Sequence, residues 1–284
     1  MAKPKDQSLA GNRPVVIGRP AEIRPGRTLD IAIQEGGERR ETTLFFTHGM
    51  GGNKNQWRNQ WLAFAEMGYR LVAWDGLGHG ASPDGKRWKS YSGREFIADY
   101  RAILEHYHSD RNVLIGHSYG TTTTLAVLGE LANLGREPMV DRAILLGPPR
   151  PGPFPRIPVM HLPTFMLEWM RPQFAVRFTT RAWSEHTDRA VLLYEAKQTE
   201  RNTMFMIKAL SRQAPWINPA KLGGINTPIM ILAGSDDLIT PVLGAQQVAA
   251  FLAHAEVKVL RNCGHQIMLE QPAETTELIA NFIA

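Results

Sequence analysis

Seven short runs rich in β-branched and aliphatic residues punctuate the chain: Leu29–Ile33, Thr43–Thr47, Arg70–Trp74, Val113–Gly116, Ala143–Gly147, Ile229–Ala233 and Glu256–Leu260. Several are continuously apolar, Ile229-Met230-Ile231-Leu232 among them. Strands covered on both faces of a parallel sheet require that pattern. Helical segments separate most of the runs. Ser92 with Glu95 three residues on predicts a capping box opening a helix that runs to about His106. A second helix is predicted from about Tyr119 to Leu134, stopped by Gly135. Thr240-Pro241 and Gln271-Pro272 read as helix starts with proline at the first helical position. Strand–helix alternation of this kind implies an α/β fold, a mostly parallel central sheet with flanking helices and right-handed crossovers.

The alternation fails twice. Residues 1–27 hold Pro4, Pro14, Pro20 and Pro25 with little apolar pattern and are expected to form an extended arm. Residues 148–226 contain no convincing strand, open on a proline-rich run and end at Gly223-Gly224. They are expected to form a helical cap inserted into a core made of 28–147 and 227–284. This segment holds nine of the chain's 24 aromatic residues and five of its 11 methionines. Those residue types fit irregular apolar shapes and give large contact areas. A hydrophobic acyl or aromatic substrate moiety is therefore expected beneath the cap.

At 284 residues, 43% hydrophobic and 21% charged, the chain has the composition of an ordinary globular protein. No apolar stretch reaches the roughly 18 residues that cross a bilayer, and no secretory signal is visible after the basic N-terminus. The single cysteine, Cys263, excludes an internal disulfide and points to a reducing, cytoplasmic setting. The net charge of +5 is uneven, with +4 in residues 1–27 and +6 in residues 148–226. The basic residues form no tract and no nucleic-acid motif, so a nucleic-acid partner is not expected. Arg150, Arg156, Arg171, Arg177 and Arg181 would attract an anionic substrate group or, weakly, an anionic lipid surface; a solvated basic face is the plainer alternative.

Val113-Leu114-Ile115 leads directly into Gly116-His117-Ser118-Tyr119-Gly120 and then a helix. A Gly-x-Ser-x-Gly run is weak alone. Between a strand and a helix it has the setting of a nucleophile elbow, which pushes a serine hydroxyl out at the carboxyl edge of a sheet. Serine needs a base to take its proton. Of nine histidines, His265 alone follows the last apolar strand in a short loop before the final helix, at the sheet edge where ligands bind in open α/β folds. Asp236 and Asp237 follow the strand at Ile229–Ala233, and spacing does not separate them. His48-Gly49-Met50-Gly51-Gly52 follows the strand at Thr43–Thr47, and its glycines permit close approach of backbone N–H donors to an oxyanion.

With Asp75-Gly76-Leu77-Gly78-His79-Gly80-Ala81-Ser82 and Gly264-His265 ahead of Glu270 and Pro272, these motifs resemble the α/β-hydrolase superfamily, in its capped serine esterase and lipase-like branch, over about residues 28–284. The resemblance implies Ser118 as nucleophile, His265 as base, and Met50 and Tyr119 as backbone oxyanion donors. Its usual spacing favours Asp237 as the acid. The segment from Asp75 to Ser82, His79 included, is implied to be structural. Many relatives carry a second glycine after the elbow, whereas here Thr121 begins a run to Thr124, which puts the helix position behind Ser118 in question. The expected activity is hydrolysis of a carboxylic ester through an acyl-serine, with acyl transfer, C–C bond hydrolysis or a non-catalytic scaffold as alternatives. No metal or organic cofactor is implied, because no Walker-type loop and no His-Glu-x-x-His is present.

Overall fold

The computed structural model describes residues 15–153 and 157–284. Residues 1–14 of the expected arm, together with Phe154 and Arg156 of the expected cap, lie outside the described residues.

Eight strands form one sheet: β1 (Arg19–Arg24), β2 (Arg27–Gln34), β3 (Arg39–Thr47), β4 (Tyr69–Asp75), β5 (Arg111–His117), β6 (Arg142–Leu146), β7 (Ile229–Gly234) and β8 (Ala255–Leu260). Their order is β1-β2-β4-β3-β5-β6-β7-β8. From β4 to β8 the strands run parallel, while β1 and β2 are antiparallel additions at one edge. The last residues of the expected arm thus supply the edge strand β1. Pro20 is tolerated there because an edge strand leaves one row of N–H groups without ladder partners.

Alternation along each strand divides the core into two layers. Leu29, Phe45, Val72, Leu114, Leu145 and Ile231 face helices α2 (Gly93–Tyr107), α3 (Tyr119–Asn133) and α8 (Val242–Ala249). Their neighbours Leu44, Phe46, Leu71, Ile115, Leu146 and Leu232 face α1 (Arg58–Glu66), α9 (Ile267–Glu270) and α10 (Pro272–Ile283). Both faces are therefore covered, which is why these strands read as continuous apolar runs.

Between β6 and β7 the described residues contain four further helices: α4 (Thr164–Trp169), α5 (Arg171–Ala182), α6 (Arg189–Thr199) and α7 (Met204–Gln213). No helix among the described residues is long and apolar enough to cross a membrane.

Two helix starts differ from the sequence expectation. Ser92 precedes α2 but its hydroxyl caps nothing, and the Glu95 carboxylate turns to Arg24 of β1 instead. The charged partner outweighs the reciprocal cap. α8 begins at Val242 with Pro241 before it, because the Thr240 hydroxyl is committed elsewhere, to Asp237.

Candidate active site

Four loops, at the carboxyl ends of β3, β5, β7 and β8, meet above the sheet, with the turn after β5 at their centre. Ser118 has φ 51° and ψ −115°, outside the regions L-residues favour. Such a backbone costs about 1–3 kcal/mol and persists only where the surroundings impose it. Here the imposing contacts are the Ser118 N–H bond to Leu146 O at 2.8 Å and α3 itself, which starts at the next residue. Gly120 cannot be larger: a Cβ there would sit 2.6 Å from Thr47 O and 2.9 Å from His48 O. The four threonines leave α3 in place. Each turns its hydroxyl back onto a carbonyl of the preceding turn, Thr121 onto Ser118, Thr122 onto Tyr119, and Thr123 and Thr124 onto Gly120. All four are buried with no unmet donor, so the helix keeps its start at Tyr119.

His265 and Asp237 are both buried and directly bonded. His265 Nδ1–H donates to Asp237 Oδ2 at 2.7 Å. The Thr240 hydroxyl donates to that same oxygen at 2.7 Å and lies 3.0 Å from the imidazole nitrogen. Asp237 Oδ1 accepts the N–H groups of Ile239 and Thr240 at 2.7 and 2.8 Å. Burial alone would push the Asp237 carboxyl up; the imidazolium charge of His265 and the hydrogen bonds from His265 and Thr240 outweigh it and hold the carboxyl below its ordinary value. Asp236 is separated from this pair. It accepts from Ser184 Oγ and Ser235 Oγ, both at 2.7 Å.

Two groups fix the His265 loop. His265 N–H donates to Ala182 O, and Glu270 accepts from Gly264 N–H and Gln266 N–H, both at 2.9 Å. Glu270 also takes Ser184 N–H and the Thr187 hydroxyl, which binds the segment between β6 and β7 to the same loop. His117, beside Ser118, points its Nε2–H to His265 O at 2.9 Å and lays its ring 4.7 Å from the His265 ring. Burial, then the nearby His265 charge, lowers the His117 pKa to about 3, so it is a neutral strut. Ser118 therefore sits next to a residue that grips the His265 backbone. Among the described residues Ser118 Oγ itself has no hydrogen-bond partner.

The loop after β3 lies against the elbow: a Cβ on Gly49 would be 3.1 Å from Ser118 Cβ. Gly51 N–H is taken by His79 Nε2 at 3.1 Å, and Gly52 N–H by Gly49 O at 3.0 Å. Met50 N–H and Tyr119 N–H have no acceptor among the described residues. Tyr119 N–H is also the first amide of a 15-residue helix, whose amino-terminal end carries partial positive charge. Asp75 stabilises the approach to this loop. It accepts Lys54 N–H, Lys54 Nζ and Ala81 N–H at 2.6–2.8 Å. Beneath the loop a cavity of about 20 Å³, lined by His48, His79, Phe96, Tyr100 and Tyr119, has room for a water molecule but not for an acyl chain. No cluster of three or more metal-ligating side chains is present among the described residues.

Sequence reasoning placed Ser118, Asp237, His265, Met50 and Tyr119 at one sheet edge, and the structure brings all five to this site. It missed Thr240, read as a helix cap, although a hydroxyl three residues after an acid was a usable signal. It gave Glu270 no role.

A sequence model described as the alpha/beta hydrolase family matches residues 44–278. The chain belongs to the alpha/beta hydrolase family. It is 28% identical over 271 residues to Protein ABHD8 of Bos taurus, a match covering 92% of this chain and 61% of that protein. The chain thus spans about three-fifths of the length of that relative. It is 26% identical over 276 residues to the 2-hydroxy-6-oxononadienedioate/2-hydroxy-6-oxononatrienedioate hydrolase of Klebsiella pneumoniae, with 91% of this chain and 92% of the relative covered. Among solved structures the esterase EaEST of Exiguobacterium antarcticum superposes with a TM-score of 0.77 at 17% identity, covering 90% of this chain and 96% of that one. That likeness is one of fold.

Proposed function

We propose that this chain is a serine hydrolase that cleaves a carboxylic ester with a hydrophobic acyl or aromatic moiety. The reading rests above all on the buried His265–Asp237 pair at 2.7 Å beside the strained Ser118 turn. In this mechanism His265 Nε2 takes the Ser118 proton as Oγ attacks the ester carbonyl. Asp237 and Thr240 hold the imidazole in the Nδ1–H tautomer and stabilise the imidazolium that forms. Met50 and Tyr119 N–H groups receive the oxyanion. His265 returns its proton to the leaving alcohol, and water then releases the acid from acyl-Ser118, with the same imidazole as base. The apolar composition of the segment between β6 and β7 supports the hydrophobic moiety, and the single buried Cys263 supports a reducing cytoplasmic setting. Weak contact with anionic lipid through the basic residues of that segment is part of the proposal, subordinate to the ester chemistry.

The second reading is hydrolysis of a C–C bond, favoured by the end-to-end match to the Klebsiella pneumoniae hydrolase. A fluorophosphonate probe followed by p-nitrophenyl esters of rising acyl length separates the two. Ester hydrolysis requires rapid labelling, and labelling and turnover lost together in Ser118→Ala. Ser118→Ala and His265→Ala are each expected to lower kcat by roughly 10⁴-fold or more. Asp237→Asn is expected to cost orders of magnitude, with Asp236→Asn near wild type. Ester turnover that survives in Ser118→Ala refutes the serine mechanism.

A further inference from the structure

The loop from His48 to Gly52 contains three glycines in five residues, so its own backbone preferences do not fix it. Its peptide groups are instead held one by one. Gly49 O accepts from Gly52 N–H at 3.0 Å and from His48 Nδ1–H at 2.7 Å. His48 has its Nδ1 proton because its Nε2 accepts Gly76 N–H at 2.9 Å. In a trans peptide N–H and C=O point in opposite directions. Anchoring Gly49 O therefore turns the Met50 N–H of the same peptide the other way, leaving it without an acceptor.

Gly51, with φ 76°, is gripped on both sides. Its N–H goes to His79 Nε2 at 3.1 Å, while His79 Nδ1–H goes to Leu77 O. Its carbonyl accepts from Asn202 Nδ2 at 2.6 Å. Asn202 is a buried residue between α6 and α7, outside the sheet core. Its backbone is anchored in turn. The Asn202 main-chain carbonyl accepts Arg171 Nη1 at 2.5 Å, Arg171 is paired to Glu168, and Glu168 Oε1 accepts Met204 N–H at 2.8 Å. Ile207 and Ser211 of α7 complete the contact, with Ser211 Oγ 3.6 Å from Met50 Sδ.

We propose that Asn202 is a positioning residue for the oxyanion loop: its bond to Gly51 O, opposed by His79, aims the Met50 N–H and ties that aim to the placement of the helices between β6 and β7. The inference rests on Met50 serving as an oxyanion donor, as proposed above. Substrate bound against α7 would then sharpen the geometry of the donor that stabilises its own transition state. Loss of the clamp should weaken the transition state more than the ground state, because the oxyanion exists only in the former.

The test uses the full chain with Asn202→Ala and Asn202→Asp, the latter nearly isosteric but placing carboxylate oxygen against Gly51 O. Misaiming one donor by a fraction of an ångström is expected to lower kcat roughly 10- to 100-fold, with KM for a p-nitrophenyl ester held within about threefold. Affinity for an arylboronic acid, whose adduct with a serine hydroxyl places an oxygen in the oxyanion position, should fall by the same factor as kcat/KM. Amide exchange in a peptide spanning Gly49–Gly52 should quicken in both variants, while peptides from β3 and β5 keep wild-type protection. Unchanged kcat and boronate affinity in Asn202→Ala overturns the proposal, as does unchanged loop protection. A fall in activity matched by a general loss of protection also overturns it, by showing a merely structural role. Failure of wild type to react with fluorophosphonate would instead sink the esterase reading, and the exchange measurement would still decide whether Asn202 holds the loop.

Discussion

Lowering the pH from 7 to 5 sets two buried imidazoles against the native state. His79 and His117 each have a pKa of about 3 in the folded chain, against 6.5 for an ordinary histidine; burial is the larger cause in both, followed by the charge of His48 and of His265 respectively. Below pH 6.5 the unfolded chain binds protons at these positions and the native chain does not. Stability therefore falls with pH from about 6.5 down toward 3. For one such group the loss between pH 7 and 5 is about 2 kcal/mol, and for both about 4 kcal/mol. His48, lowered chiefly by burial, acts in the same direction. The paired carboxylate Asp237 contributes only at lower pH, since its stabilisation is lost below the ordinary carboxylate range. Urea unfolding at pH 5, 6 and 7 measures this directly. His117→Gln supplies the control, because an amide can still donate to His265 O but does not titrate. Its pH-dependent loss should be smaller than that of wild type by about 2 kcal/mol over the interval. A wild-type stability constant within about 1 kcal/mol from pH 7 to 5, or an unchanged slope in His117→Gln, would refute the reasoning.

Further expectations concern the site. Thr240→Val removes a hydroxyl hydrogen bond to the ionised Asp237, worth about 1.5 kcal/mol, and should lower kcat/KM roughly tenfold, with Thr240→Ser restoring it; steady-state kinetics of the pair checks this. Cys263 is buried, and burial first, then nearby carboxylates, push its thiol well up, so Cys263→Ser should keep most ester turnover. If the basic residues of 148–226 steer substrate, kcat/KM for an anionic ester should exceed that of its matched neutral analogue and the advantage should shrink as salt rises; equal values without salt dependence would remove the charge from the account.

The interior strands were legible because a sheet covered on both faces leaves an unambiguous mark. The run Ile229-Met230-Ile231-Leu232 has no polar residue to place outward, and it became β7. The edge at β1 was not legible, although the opposite edge, β8, was read as the run Glu256–Leu260. β1, with the sequence Arg-Pro-Ala-Glu-Ile-Arg, is half-exposed and makes ladder bonds on one side only, so neither alternation nor apolar content marks it. Helix α1 carries little signature for a different reason. It buries Arg58 and Gln60, which a sequence reading assigns to solvent. Arg58 is matched by Glu195, a residue 137 positions away, at 2.7 Å, and Gln60 donates to Met268 O and Pro272 O beyond it.

The same distinction runs through the site. Ser118 and His265 could be placed because each sits in a turn whose local sequence dictates its position at the sheet edge. The residues' own placement after β7 does not choose between Asp236 and Asp237, since adjacent residues after a strand point to opposite sides; the family resemblance favours Asp237, and the folded loop turns it toward His265. Asp237 is the one turned inward, and its two oxygens are filled by His265, Thr240 and two backbone amides. Asp236 meets Ser184, a residue of the segment between β6 and β7. That segment touches the His265 loop through Ala182, the Asp236–Asp237 loop through Ser184, and the loop after β3 through Asn202. Each contact joins residues more than 50 positions apart, so no local pattern encodes it. The chemistry of this site is written in short motifs, while its alignment depends on side chains whose partners are defined only once the chain has folded.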